Sequence, residues 1–156
     1  MTLEGMLTQL DQLMLSYPIA IPILSSVHLL AVTLLAGTVL VVDLRLLGLG
    51  LINHSVATLQ RSARGWFFTA LALLTLSGVP LWRLASESFR EDPAVQWKII
   101  LFLTALTFAL LVHGPVVAGA IRVHRGPRPI VRVVGVLSLL LWFGTLAAGA
   151  WSITAR

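Results

Sequence analysis

Four long runs of apolar residues, nearly free of charge, decide what this chain can become. They lie at about residues 19–43, 65–83, 98–121 and 132–152. Each is close to the roughly 20 residues a helix needs to cross a hydrocarbon core. Of the 156 residues, 58% are hydrophobic and 11% charged, where a soluble domain carries roughly 25% charged residues. A single small core in water cannot hide that much apolar surface. The expected fold is all-α: one integral membrane domain over residues 1–156, a four-helix transmembrane bundle in up-down order. Residues 55–64 are free to extend the second, shortest run as helix into the interface.

The net charge of +5 raises the question of a nucleic-acid partner, but the placement of the charges reads as topology. The connection after the first span carries Arg45, Arg61 and Arg64, and the one after the third carries Arg122, Arg125, Arg128 and Arg132 with no acid. The connection after the second span is mixed, with Arg83, Glu87, Arg90, Glu91, Asp92 and Lys98, and the N-terminal arm holds Glu4 and Asp11. Lys and Arg concentrate in cytoplasmic loops. The first and third connections are therefore expected inside, and both termini outside, in a bacterial inner (plasma) membrane. The partner this implies is the lipid bilayer, not nucleic acid. Trp82, Trp97 and Trp151 then fall at the outer boundary and Trp66 at the inner one, as an aromatic belt, while Trp142 is mid-span and packs.

The arm before Pro18 places Leu3, Met6, Leu7, Leu10 and Met14 at helical spacing. This predicts an N-terminal amphipathic helix on the outer surface, capping the mouth of the bundle. The arm offers acids where a signal peptide has bases, and the run after it is too long for one, so the first span is expected to be retained. The Gly-Pro-Arg-Pro stretch after Arg125 predicts a tight inner loop whose arginines meet lipid phosphates.

With no cysteine, thiolate metal sites, iron–sulfur clusters and covalent haem attachment are excluded. No Gly-x-Ser-x-Gly elbow, phosphate-binding Gly loop or His-Glu-x-x-His is present, and whether the chain is an enzyme stays open. The chemistry that remains lies in two histidines within the spans, His28 and His113. An ionisable residue in hydrocarbon is a functional candidate by default. Imidazole can ligate haem iron, copper or zinc, or it can simply bridge helices by a hydrogen bond. Both readings stay open for each. His28 is ten residues past Pro18 and His113 sixteen past Trp97, an offset of about 9 Å along the membrane normal. That offset weighs against one haem held by both. Gly114-Pro115 beside His113 either opens room for a flat ligand or serves packing. Asp43 and Arg45 close the first span. They read as an inner ion pair, with Arg132 or Arg122 as further partners, and Arg45 also as a contact for haem propionates. His54 and His124 read as solvated loop residues, and Lys98 as a snorkelling lysine.

Several strings together resemble a known family. They are His28-Leu-Leu, Asp43-Leu-Arg-Leu-Leu-Gly48, Thr75-Leu-Ser-Gly78, Asp92-Pro-Ala-Val-Gln-Trp-Lys98, His113 and Ser138-Leu-Leu-Leu-Trp142. The chain resembles an uncharacterised bacterial family of small four-span membrane proteins, domain-of-unknown-function family 6644. More distantly it is similar to the copper-resistance D-like membrane domain and to the haem-containing protoporphyrinogen oxidase of bacteria. Those carry a histidine in the first span, matched by His28; the oxidase has a lysine opening the third, matched by Lys98. The resemblance implies a haem- or copper-related site at His28, not protoporphyrinogen chemistry. The expected function is a membrane-embedded b-type haem protein for electron transfer, with His28 and His113 as candidate ligands. The alternatives are copper handling by the same histidines, or a structural subunit with no cofactor. The expected company of a haem protein is a redox partner or a quinone, and a second copy of the chain.

Overall fold

A computed structural model describes residues 2–51, 53–122 and 129–154 of the chain. Helix α1 (Leu3–Ser16) precedes α2 (Ala20–Leu47) and α3 (Val56–Leu84). A single turn, α4 (Glu87–Arg90), leads to a third span made of α5 (Pro93–Phe108), a π-helical turn (Ala109–His113) and α6 (Gly114–Arg122). Helix α7 (Pro129–Thr154) is the fourth span. The four spans are helices long and apolar enough to cross a membrane. His124, Arg125 and Arg128, with the inner loop expected around them, lie outside the described residues.

Local chemistry sets the helix ends. Gly48 takes the left-handed conformation (φ +78°) that ends α2. The amide of Leu49 donates to the Leu44 carbonyl, closing a Schellman cap that suits glycine. Ser55 caps α3, its hydroxyl accepting from the Thr58 amide at 3.1 Å, so the second span does run on from residues 55–64 as one helix. Asp92 caps α5, accepting from Ala94 at 2.8 Å, with Pro93 in the first turn where its missing N–H costs nothing.

Around the bundle, α2 packs lengthwise on α3, α7 on α2, and α5 on α7, while α3 meets the third span chiefly at α6. The middle of the bundle is closed by Leu35, Val39, Ala70, Ala105 and Trp142. Phe67 and Phe102 meet the Trp142 ring edge-on, with centroids 6.2 and 6.0 Å away. Trp142 is therefore the mid-span packing residue its position foretold. Fully buried Ala31, Ala70 and Ala105 let the helix backbones approach, as small residues do between membrane helices. Leu29, Leu30, Leu76, Leu111 and Leu140 stand exposed, an outward apolar surface that suits lipid. The exposed Trp66, Trp82, Trp97 and Trp151 ring it.

Helix α1 forms as expected but does not cap the bundle. Of its apolar stripe, Leu3, Met6 and Leu10 stay exposed while Leu7 and Met14 are half-buried, and it touches the ends of α2 and α3. Asp11, at the edge of the apolar stripe, accepts from Arg83 Nη2 at 2.6 Å and Nε at 3.1 Å. The helix is thus strapped to the end of α3, with Leu7 and Met14 half-buried on the face of Asp11 and the rest of its apolar stripe exposed, as suits a membrane interface.

Candidate functional site

Each membrane histidine sits in its own polar seat. Towards the end of the bundle that holds the termini, His28 Nδ1 lies 3.0 Å from Ser77 Oγ. The Ser77 hydroxyl donates to the Leu73 carbonyl at 2.6 Å. A hydroxyl has one proton, so towards His28 the Ser77 oxygen accepts and Nδ1–H donates. That arrangement assigns the Nδ1–H tautomer to the ring, with the lone pair on Nε2. Gly78 makes the approach possible: a Cβ there would lie 3.0 Å from His28 Cε1. The Ser-Gly pair in Thr75-Leu-Ser-Gly78 is thus the seat of the histidine, one residue bonding it and the next leaving it room. Lys98 opens the third span at this same end, its Cδ and Cε passing over Gly149, where a Cβ would sit 3.5 and 3.6 Å away.

At the opposite end, His113 Nε2 lies 2.6 Å from Asp43 Oδ1. Asp43 is fully buried, and its Oδ2 has no hydrogen-bond partner among the described residues. The contact requires a proton between nitrogen and oxygen and is short, as charge-assisted bonds are. Two local devices build it. Pro115 lacks the N–H that would bond Leu111, and the Gly114 amide reaches back to the Ala109 carbonyl, producing the π turn that carries His113. A Cβ on Gly114 would come within 3.3 Å of that carbonyl oxygen. On the other side, α7 packs on α2 at Gly135, where a Cβ would make ordinary contact with the Asp43 carbonyl oxygen at 3.6 Å.

This corrects the inner ion pair expected for Asp43 and Arg45. Asp43 turns to a histidine, and Arg45 Nε donates to the His54 carbonyl at 2.7 Å, closing the loop after α2. The reason is depth. Asp43 had been set at the membrane boundary beside Arg122. It is instead level with His113, nine residues or about 14 Å inside Arg122. The separation of the histidines changes with it. From His28 to Asp43 is fifteen residues of one helix, about 22 Å. One metal cannot be shared across that span, and the sequence estimate of the offset was too small because it took the two spans' ends as level.

Beside His113 the bundle opens. A cleft of about 350 Å³ lies between α3 and the third span, its back formed by α2 and α7. Buried Val39, Val42, Ser138 and Trp142 form its depth, and exposed Arg64, Phe68, Leu110 and Pro115 its rim. The guanidinium of Arg64 stands 6.0 Å over the Phe68 ring. Among the described residues, no three His, Asp or Glu side chains gather into a metal-binding group.

Fold and seats together define a multi-pass, four-helix membrane protein with one seated histidine near each end. The chain belongs to a family of unknown function, DUF6644, which it matches over residues 18–154. Searches of curated proteins and of solved structures found no match.

Proposed function

We propose that this protein is a b-type haem protein of the bacterial inner membrane that passes electrons, with His28 as an axial ligand of the haem. The observation that supports this is the seat of His28: Nδ1 lies 3.0 Å from Ser77 Oγ, and with the Ser77 proton on the Leu73 carbonyl that contact assigns the lone pair to Nε2. Metal-ligating histidines are commonly oriented in this way, by a hydrogen bond from the second ring nitrogen. Haem suits a solitary histidine, since the macrocycle supplies four donors and needs one or two from the protein. When bound, it would supply one-electron chemistry. The chain's own part is to fix the imidazole, keep water from it with the apolar walls of α2 and α3, and place a cation nearby. Lys98 meets that need at the His28 end. Arg45 does not, being seventeen residues, or about 25 Å, further along α2. His113 is the weaker candidate ligand, because its Nε2 is taken by Asp43 and only Nδ1 remains.

Copper handling fares less well. A site built from side chains takes several ligands, and no such group is found among the described residues. Met6 and Met14, thioethers that would suit Cu(I), lie in α1, outside the membrane-spanning helices. One observation favours a purely structural role: each histidine already joins two spans by a hydrogen bond, which alone stabilises a membrane bundle. Absorption spectra of the detergent-purified protein, made in haem-supplied cells, separate these readings. A Soret band with α and β bands that sharpen on dithionite reduction is expected, lost in His28→Ala and kept in His113→Ala. A colourless wild-type protein, or a full spectrum in His28→Ala, overturns the haem reading.

A further inference from the structure

We infer that the cleft between α3 and the third span is a binding site for a lipid-soluble quinone-type ring that enters sideways from the membrane. The opening lies at the one seam of the bundle that is not packed lengthwise. Its rim residues Phe68 and Leu110 are exposed, so access is from the hydrocarbon and not through the loops. The size, about 350 Å³, falls within the range of small-molecule sites, roughly 300–1,000 Å³. Phe67, Phe68 and Trp142 give it flat aromatic walls, which suit a planar ring.

Polar groups in its depth choose between a ring with oxygens and an acyl chain. Ser138 brings a hydroxyl to the back wall. His113 lines the cleft with its Nε2 fixed on fully buried Asp43, so that Nδ1 is the nitrogen left to a ligand. A hydrocarbon chain leaves both groups unmatched, at a cost that apolar contact does not offset. A carbonyl oxygen of the oxidised ring accepts from Ser138, and only after reduction does a ring hydroxyl donate to the imidazole. The site is separate from any haem ligand at His28, which lies ten residues, or about 15 Å, along α2 from Thr38, the lining residue of that helix nearest to it.

Trp142 provides the readout. Menadione, a quinone, is titrated into the detergent-solubilised full-length protein while tryptophan fluorescence is followed, with 2-methylnaphthalene as the same ring system without oxygens. Saturable quenching by menadione is expected, with the hydrocarbon binding at least roughly tenfold more weakly. Trp142→Phe should lose the saturable part of the signal. Ala118→Phe, which fills the cleft from α6, should weaken binding by at least roughly tenfold, and Ala118→Leu is the milder filler should that variant fail to fold. Non-saturable quenching, equal binding of the two ring systems, or full affinity in a folded Ala118 variant overturns the site. None of these readouts depends on a Soret band, so this inference and the haem reading fail separately.

Discussion

The residues that matter most in this bundle are those that seat its histidines, and two of them are testable by single atoms. A methyl group at Gly78 would meet His28 Cε1 at 3.0 Å, so the His28 ring, held at Ser77, must give by a few tenths of an ångström or the two helices must part. Gly78→Ala is expected to lower stability by about 1–3 kcal/mol, the usual cost of overpacking. Ser77→Ala removes only the hydrogen bond and should cost less, about 0.6–2 kcal/mol. Thermal unfolding in detergent checks the order of the two. If Gly78→Ala melts like wild type, the close approach is not real. Asp43 offers a second contrast. Asp43→Ala leaves His113 without its partner, at about 1–3 kcal/mol, while Asp43→Asn keeps an oxygen that can accept from Nε2–H and should lose less. Equal losses would mean that the carboxylate charge, not the hydrogen bond, holds the pair. The sequence pointed to His28, His113 and Asp43 but to none of their pairings. A pairing depends on the relative height of two helices, and apolar runs report length, not height. The Ser-Gly dipeptide was a usable signal for the His28 seat, since a hydroxyl next to a missing side chain is what a ring crossing between helices needs.

Among the elements, the third span differs most from an ideal rod. Apolar periodicity places it well, but a π turn follows from backbone bonding around His113-Gly114-Pro115 and leaves no trace in hydropathy. The tripeptide itself is the visible cause, through a proline with no N–H and a glycine that tolerates the displaced carbonyl. Pro115→Ala restores the missing donor and should let the turn relax to an α-helix, turning His113 by about 100° away from Asp43. If Pro115 acts by placing His113, its loss and that of Asp43 are one event. The double variant Pro115→Ala with Asp43→Ala should then melt close to the worse single variant, with a coupling energy of about 0.5–3 kcal/mol. Additive losses would show that the proline serves packing alone. The helix ends were more legible. Gly48 at the close of α2 and Asp92-Pro93 at the start of α5 carry their caps in the sequence, because capping is local. The behaviour of α1 was legible only in part. Its stripe predicted an amphipathic helix, but which side the stripe would face was decided by Asp11 meeting Arg83, 72 positions away.

For the molecule as a whole, the up-down order fixes which segments share a side, and the arginines set the side expected for each. His54 and the start of α3 lie at the end that holds Arg45, Arg61 and Arg64; Ser86 and α1 lie at the other. Short loops rich in Lys and Arg stay in the cytoplasm because translocating them opposes the membrane potential and the anionic inner leaflet. The chain contains no cysteine, so each introduced thiol is a single, clean reporter. In cells treated with a membrane-impermeant maleimide, Ser86→Cys and Thr2→Cys should label before the membrane is broken, and His54→Cys only after it. Both labelled positions are exposed and neither belongs to a histidine seat; Thr2 caps α1 and Ser86 caps α4, so the cost of replacing them falls on those two surface helices and not on the spans. Labelling of His54→Cys in whole cells, with protection of the other two, would invert the protein. It would put Arg64 and the mouth of the cleft in the outer leaflet, and the seat of His28 in the inner half. Labelling of all three would break the up-down order itself. The expected pattern puts His28 near the outer face and the cleft in the inner leaflet, where a lipid-soluble ring would reach His113 without crossing the loops.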